Sequence, residues 1–184
     1  MRLVRCKDMK NTIENRATGQ RITFVRRAGD TNGAFTESIL RLPPGSREPA
    51  LHVHPRQEEY FEALEGPVGL TIGKRSIILR PGQSFTVPAG IPHRFFALRG
   101  QSATCRVIWK PSLHIEYLLE EFLDSANRHR GSEPSLLEAA YVLHQIDGEY
   151  FLAGGMPPWF QRMAFAAFAL LGKSFGMVKC SKIY

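Results

Sequence analysis

The chain has few cysteines and no long apolar run. Its three cysteines, Cys6, Cys105 and Cys180, are far apart and form no Cys-x-x-Cys pair, which excludes a disulfide framework and a zinc knuckle. The apolar run Met163 to Leu171 has nine residues, whereas a membrane-spanning helix needs about twenty. Residues 1–19 are charged and polar and lack the apolar core of a secretory signal, which predicts a cytoplasmic protein.

Long basic runs are also missing, although the formal net charge of the 184 residues is +7. Basic residues never extend beyond pairs such as Arg26-Arg27 and Lys74-Arg75, so we expect no nucleic-acid binding. The charge changes sign along the chain: residues 1–110 are basic, residues 111–150 acidic and residues 151–184 basic without any acidic residue. An apolar content of 43% predicts a globular core, and the length predicts one domain with an appendage.

Short apolar segments separated by Pro and Gly turn signals make up residues 20–110. Turns such as Pro43-Pro44-Gly45 and Arg80-Pro81-Gly82 recur at hairpin spacing, which predicts an antiparallel β-sandwich or barrel. We therefore divide the chain into an N-terminal arm (1–19), a β-barrel (20–110) and an α-helical C-terminal extension (111–184).

Helical periodicity begins after Pro111. One face of the first helix is apolar, and Glu116, Glu120, Glu121 and Asp124 are expected on the opposite face; the apolar positions are Ile115, Leu118, Leu119, Phe122 and Leu123. Gly131 is a stop signal. Ser135 and Glu138 form the pattern of a capping box, which predicts a second helix to about Gln145.

The last helical segment, Pro157 to about Gly176, is apolar over most of its circumference, and Arg162 and Lys173 project close together. Such a helix has to be covered by the barrel, by a partner subunit or by a lipid headgroup layer. We favour protein contact and expect this helix to complete a homodimer. Contact of residues 157–176 with a membrane surface is the alternative.

Three histidines and one glutamate form the most informative pattern. His52 and His54 are two residues apart, so both imidazoles point to the same side of a strand, as suits a pair of metal ligands. A carboxylate, Glu58 or Glu59, follows the Pro55 turn, and His93 follows a Pro/Gly turn some thirty residues later. Three imidazoles and one carboxylate suit Fe, Mn, Ni, Cu or Zn.

These segments resemble the two signature motifs of the cupin superfamily. The first runs from Gly45 through His52, His54 and a glutamate to Gly66, and the second from Gly82 through Pro88 and Gly90 to His93. The motif spacing before Gly66 selects Glu59 over Glu58. Two departures leave every donor in place: Gly45 precedes His52 by six intervening residues rather than five, and Ala97 replaces the final Asn of the second motif.

The resemblance implies a double-stranded β-helix, the cupin jelly-roll barrel, with a divalent metal ion (Fe, Mn, Ni or Zn) held by His52, His54, Glu59 and His93. Strand alternation then places four further side chains on the inner wall, lining a pocket for a small, partly hydrophobic ligand: Phe61, Ala63, Phe95 and Ala97. Ordinary barrel core is the competing interpretation of the two phenylalanines.

No acid or base beside the metal can be assigned from the sequence; the candidates on nearby strands are Glu37, Arg41, Tyr60 and Arg94, although parity turns Arg94 outward. The remaining histidines, His114, His129 and His144, have no ligand spacing and are interpreted as helix-face residues, and Trp109 and Trp159 as core or interface.

The resemblance implies a metal-dependent enzyme acting on a small organic molecule, either dioxygenase-like or a metal-assisted isomerase. The apolar wall and the lack of an assigned acid and base favour the dioxygenase-like reaction. The alternative is a non-catalytic small-molecule binding or sensor module, in which the helical extension reports occupancy of the barrel.

Overall fold

The computed structural model describes residues 11–44, 46–181 and 183. Cys6, most of the predicted N-terminal arm and Gly45 of the first motif lie outside these residues. Eleven strands and three α-helices are described. The strands are β1 (Thr12–Glu14), β2 (Arg21–Arg26), β3 (Thr36–Leu42), β4 (Arg47–Val53), β5 (Glu58–Glu65), β6 (Val68–Ile72), β7 (Arg75–Leu79), β8 (Ser84–Val87), β9 (His93–Ala97), β10 (Ala103–Lys110) and β11 (Phe151–Leu152).

Two antiparallel sheets form the barrel, as the strand and turn pattern predicts. One sheet has the order β1-β2-β3-β10-β5-β8 and the other the order β11-β4-β9-β6-β7. Neighbours in these orders are distant in the sequence, for example β3 beside β10 and β4 beside β9. The chain is therefore mainly β with a jelly-roll arrangement, followed by helices.

Strict alternation of buried and exposed positions determines what faces the interior. Along β5, Glu59, Phe61 and Ala63 are buried and their neighbours are not. Along β9, His93, Phe95 and Ala97 are buried, whereas Arg94 is exposed. Because successive side chains of a strand point to opposite faces, the interior receives two ionisable side chains together with an apolar core.

The helices are α1 (Ile115–Arg128), α2 (Leu136–Gln145) and α3 (Pro158–Ser174). The Ser135 hydroxyl caps α2 by accepting a hydrogen bond from the Glu138 backbone N–H at 3.3 Å. The Glu138 carboxylate, however, accepts hydrogen bonds from the Ser125 hydroxyl and the Lys179 backbone N–H. It thereby joins α1, α2 and the C-terminal tail.

One residue of α1 departs from the expected pattern. Glu121, expected on the solvent face, is 3% exposed. Its carboxylate accepts a hydrogen bond from the Ser181 backbone N–H at 3.3 Å, because the C-terminal tail lies across this face of the helix. Periodicity within one helix contains no information about a segment sixty residues away.

The predicted extension returns to the barrel. Residues Phe151–Leu152 pair with Val53 and His52 as the edge strand β11, and the Ala153 N–H donates to the Leu51 carbonyl at 2.8 Å. At the opposite end of the chain, β1 pairs with β2. The three-part division of the chain stays a prediction, and both flanking parts contribute strands to the sheets. Within the described residues, each helix is too short or too polar to cross a bilayer.

Candidate metal centre

Three imidazoles and one carboxylate meet at one end of the barrel. His52 lies on β4, Glu59 on β5 and His93 at the start of β9, and His54 follows β4. Their donor atoms all lie within 4.8 Å of one another. The structure thus brings together the four residues that the sequence predicts as metal ligands, from strands of both sheets.

The Glu59 carboxylate lies at the centre of the group. Its Oε2 atom is 2.7 Å from His93 Nε2, 3.6 Å from His54 Nε2 and 4.0 Å from His52 Nε2. All four residues are 2–4% exposed. Four ionisable groups are therefore held together away from bulk water, an arrangement that costs free energy unless their charges and lone pairs are satisfied.

Backbone carbonyls orient two of the rings. His52 Nδ1 donates to the Ala50 carbonyl at 2.9 Å, and His93 Nδ1 donates to the Ile91 carbonyl at 2.9 Å. Because a carbonyl oxygen only accepts, Nδ1 carries the proton in both rings. The neutral His52 ring then directs its Nε2 lone pair at Glu59, whereas the charged form of His93, which its raised pKa favours, donates from Nε2 to Glu59 at 2.7 Å. A hydrogen bond at the other ring nitrogen is typical of metal-binding histidines.

Burial and the shared carboxylate shift the pKa values of the three imidazoles in different directions. Burial lowers the pKa of His52 well below its usual value, and the neighbouring His54 and His93 add to this. Burial also lowers the pKa of His54 to about 4, although the charge of Glu59 opposes the shift. Burial is also the largest single influence on His93, but the hydrogen bond with Glu59, the charge of Glu59 and the hydrogen bond with the Ile91 carbonyl together outweigh it and raise the pKa.

The donor set fits a divalent metal ion. The Nε2 lone pair of the neutral His52 faces the Glu59 carboxylate and repels it, and a cation between them converts this repulsion into coordination. Imidazole nitrogen with carboxylate oxygen suits first-row divalent metals. The buried His₃Glu group is therefore consistent with the divalent metal site typical of cupins.

Turn residues bring the strands that carry the four ligands together. Pro55 ends the extended segment after His54, and the chain returns as β5. Gly90, in the turn before β9, has a positive φ of 80° and donates its N–H to the His54 carbonyl at 2.8 Å. A left-handed conformation at this position favours glycine, and the resulting contact fixes the separation of His54 and His93.

The four predicted pocket-lining residues lie in the barrel core. Phe61 and Ala63 are 0% exposed, Phe95 6% and Ala97 4%. The Phe61 ring contacts Phe95 at a centroid distance of 5.4 Å and His93 at 6.4 Å. These side chains thus surround the group with apolar surface, and their role in contacting a ligand stays a prediction.

The acid and base candidates face away from the group. Glu37 pairs with Arg106 at 3.4 Å, and the Tyr60 hydroxyl donates to Glu62 at 3.4 Å, both on the outer side of their sheet. Arg41 and Arg94 are exposed. Strand parity explains all four positions, because each alternates with a buried neighbour. Glu58 also faces outward: it is 46% exposed and lies 3.8 Å from the Lys110 ammonium.

The helical histidines and the tryptophans lie outside the group. His114 Nδ1 lies 2.8 Å from a Glu149 carboxylate oxygen, His129 lies 3.3 Å from Glu138, and His144 is exposed. Trp109 is buried in the core, and Trp159 is 63% exposed on α3.

Sequence reasoning missed one residue at the site, Tyr150. Its ring stacks on His52 at a centroid distance of 4.8 Å and an interplanar angle of 12°, and its edge meets His54 at 5.3 Å. The available signal was the short apolar segment Tyr150–Leu152 between Gly148 and Gly154-Gly155. Three residues are too few for periodicity, and nothing local indicates their partner.

Several solved structures are similar to the barrel part of this chain. A sugar phosphate isomerase of the cupin superfamily from Silicibacter pomeroyi is 26% identical with a TM-score of 0.45, and the match covers 53% of this chain and 63% of that one. A protein from Thermus thermophilus is 29% identical with a TM-score of 0.41, covering 44% and 75%. A recombinant oxalate oxidase in complex with glycolate is 22% identical with a TM-score of 0.44, covering 51% and 52%.

This chain therefore spans less than two thirds of the isomerase's length. A search among curated proteins finds no match. The family model of the cupin domain matches residues 38–110, which include all four residues of the His₃Glu group. Residues 38–110 of this chain thus form a cupin domain.

Proposed function

We propose that His52, His54, Glu59 and His93 bind one divalent metal ion and that the chain is a metal-dependent enzyme acting on a small organic molecule. One observation carries the proposal: the Nε2 atoms of three buried imidazoles lie 2.7–4.0 Å from a single buried carboxylate oxygen. A structural role alone would not require three imidazoles around one carboxylate inside an apolar core.

The surroundings support a role in chemistry on a small ligand. Such an ion, when bound, supplies Lewis acidity, or a redox centre if it is Fe, Mn or Ni. The chain contributes the orientation of the rings through the Ala50 and Ile91 carbonyls. Phe61 and Phe95 exclude water from the inner side of the group. An apolar wall of this kind favours a small, partly hydrophobic ligand over a highly charged one.

Metal binding is tested by a pair of neighbouring substitutions. Glu59→Gln keeps the shape of the side chain and removes the central charge, whereas Glu58→Gln changes the adjacent exposed carboxylate. We expect Glu59→Gln to weaken zinc or manganese binding, measured by titration calorimetry, by about 100-fold or more, and Glu58→Gln to leave it within about twofold. Equal affinities in both variants would remove the proposed centre.

Between the two reaction types, we favour dioxygenase-like chemistry over metal-assisted isomerisation. The four acid and base candidates face away from the group, whereas isomerisation requires a group that moves a proton on the substrate. The test is turnover of a panel of small hydroxy and keto compounds by the iron-loaded chain in air and under argon. Turnover in air that stops under argon supports the oxygenase, and equal rates eliminate it.

A non-catalytic binding or sensor module is the second candidate. It is favoured by the covering of the group, because Tyr150 lies against two of the imidazoles and is 5% exposed. The C-terminal extension, which bears Tyr150, could report occupancy of the barrel through this contact. Stoichiometric binding of a compound from the same panel by chain that stays inactive with every metal would support the sensor.

A further inference from the structure

We propose that residues 147–153, here called the closing segment, close the metal centre, and that Tyr150 is a positioning residue for His52 and His54. This inference rests on the proposed function, since it assigns a role towards the ion. It concerns a part of the chain outside the cupin domain of residues 38–110. The segment keeps the two rings aimed at the ion and controls its exchange with solvent.

Tyr150 contacts the rings of His52 and His54. Its ring lies nearly parallel to His52, at 12°, and nearly perpendicular to His54, at 86°. One phenol ring therefore limits rotation of both imidazoles. The near-complete burial of the two histidines, 2% and 4% exposed, shows that water has little access to them with the segment in place.

Strand pairing fixes where Tyr150 lies. Phe151 pairs with Val53 and Leu152 with His52, in an antiparallel register that places Tyr150 opposite His54. The Ala153 N–H continues the pairing with the Leu51 carbonyl. The closing segment is thus an added edge strand on β4, the strand that bears His52. Movement of β11 would directly change what covers both rings.

Helix α3 holds the segment on one side. The buried Gln161 amide accepts from the Leu152 N–H at 3.0 Å and donates to the Leu152 carbonyl at 2.8 Å. Arg162 Nε lies 2.8 Å from an Asp147 carboxylate oxygen. Gly148 has a φ of +78°, a left-handed conformation that favours glycine.

The start of α1 holds the segment on the other side. The Glu149 carboxylate accepts a hydrogen bond from the His114 backbone N–H at 3.0 Å, and its other oxygen lies 2.8 Å from His114 Nδ1. Arg56, which follows the His54-Pro55 turn, lies 3.8 Å from the same carboxylate. Tyr150 therefore lies between two polar anchors, and its own position depends on both.

A cavity of about 120 Å³ borders the segment on the side of the helices. Its lining includes Tyr150, Phe151 and Phe165 but none of the four residues of the His₃Glu group. Space on this side of the phenol ring leaves room for the ring to move away from the imidazoles. Opening in this direction would expose the ion to a ligand.

Release of zinc from the loaded full-length chain to a chromogenic chelator tests the role of Tyr150. We expect Tyr150→Ala to accelerate release by about 10-fold or more, and Tyr150→Phe, which keeps the ring, to stay within about twofold of the original chain. Tyr60→Ala, on the outer face of β5, is the matched control and should have no effect. Release from Tyr150→Ala at the original rate would overturn the inference.

Acylation of the metal-free chain by diethyl pyrocarbonate separates this inference from the proposed function. Mass spectrometry should show faster modification of His52 and His54 in Tyr150→Ala than in Tyr150→Phe, with His144 as an exposed reference. Faster modification without any zinc binding would refute the metal centre and retain the closing segment. Unchanged modification with normal zinc binding would refute the closing segment alone.

A different observation carries a second inference: we infer that α3 pairs with α3 of a second copy of this chain, antiparallel and centred on Ala167. The half of the helix opposite the buried residues Gln161, Ala169 and Gly172 is here called the outer face. Five large apolar residues on it, and Phe175 at the C-cap, are 44–74% exposed; the five are Trp159, Phe160, Met163, Leu170 and Leu171.

The outer face lacks charge and has the area of an interface. At roughly 200 Å² for a large side chain, the six exposed residues offer about 700 Å² in each copy, close to the ~800 Å² per partner of a stable complex. Arg162 and Lys173 lie beside this face, where Arg162 pairs with Asp147 and the Lys173 ammonium lies over the Tyr141 ring. Apolar surface of this extent is typical of a protein interface.

The order of side chains favours an antiparallel pair. Met163 and Leu171 lie four residues on either side of the exposed Ala167, and Trp159 and Phe175 lie eight residues on either side. A two-fold axis at Ala167 would therefore bring large residues against large residues, with a small residue where the helices are closest. Isologous interfaces require this kind of self-complementarity.

Disulfide trapping tests the pairing in the full-length chain. Ala167→Cys should form a linked dimer under mild oxidation, whereas the two thiols of Ser174→Cys would lie about 20 Å apart and should stay unlinked. The unsubstituted chain provides the background of Cys6, Cys105 and Cys180. Linking in both variants would contradict the antiparallel arrangement, and a monomer by light scattering at about 100 µM, or a monomer bound to anionic lipid vesicles, would overturn the inference.

Discussion

The barrel and helix α3 depart from the usual distribution of polar and apolar residues in opposite directions. The barrel buries four ionisable side chains, all 2–4% exposed, whereas α3 exposes six large apolar side chains. The buried group is surrounded by hydrogen bonds that orient its rings. The apolar side chains on the outer face of α3 are not covered by any other described part of the chain. The first departure therefore indicates a small ligand inside, and the second indicates a macromolecular surface outside.

Truncation inside the barrel should produce the largest effect. Phe61 is fully buried and contacts both Phe95 and His93. We expect Phe61→Ala to lower the free energy of unfolding by about 3–5 kcal/mol, because the surrounding sheets cannot close the cavity. Chemical denaturation of the metal-free chain measures this. A loss below about 1 kcal/mol would show that the ring faces an existing pocket rather than packed core.

Acid should weaken the barrel interior and leave the outer face of α3 unaffected, because that face has no titratable group. The depressed pKa values of His52 and His54 favour the neutral rings of the folded state, so stability is lost as the pH falls below the unfolded value of about 6.5. The raised pKa of His93 acts in the opposite sense. The lowering of the His54 pKa from 6.5 to about 4 corresponds to a loss of up to about 3 kcal/mol in the free energy of unfolding.

Thermal unfolding of the metal-free chain between pH 7 and 4 measures this loss, and His54→Asn is its control. The variant has no imidazole to protonate at this position, so its stability should fall less steeply with acid. Parallel curves for both proteins would show that His54 is not the group that couples acid to unfolding.

Much of the barrel is predictable from local signals. Period-two alternation alone places Glu59, Phe61 and Ala63 on one face of β5, and the Pro/Gly turns separate the strands. Motif spacing selects Glu59 rather than Glu58 as the metal ligand, and the two side chains indeed point in opposite directions. These features depend on neighbours within a few residues, which a single sequence contains.

The closing segment was not predictable in the same way. Tyr150 meets His52 and His54 across about a hundred residues, through a strand of two residues that shows no periodicity. The prediction that Glu121 faces solvent was wrong for the same reason, since the C-terminal tail that buries it is distant in the sequence. Local patterns indicate which face of an element is polar, but not which distant segment covers it.

Gln161 connects the two regions and should give an intermediate effect. Its amide forms three hydrogen bonds, to the Leu152 N–H, the Leu152 carbonyl and the Met156 carbonyl. We expect Gln161→Ala to cost about 1–3 kcal/mol, because these buried backbone groups lose their side-chain partner. Chemical denaturation measures the cost, with the exposed Gln101→Ala as control. Equal stabilities would show that α3 does not hold the closing segment.

Truncation on the outer face of α3 should produce the smallest effect within one chain. Leu170 is 67% exposed, so Leu170→Ala should change the free energy of unfolding by no more than about 0.5 kcal/mol in dilute protein. At higher concentration the same substitution should weaken the stabilisation that dimer formation provides, because association adds stability only when copies pair. Val25→Ala, a 50% exposed barrel position, should show neither concentration dependence nor loss. If Leu170→Ala in dilute protein lowers the free energy of unfolding by more than about 1 kcal/mol, Leu170 packs within its own chain. The outer face of α3 would then be part of the folded core, and its contrast with the barrel interior would be wrong.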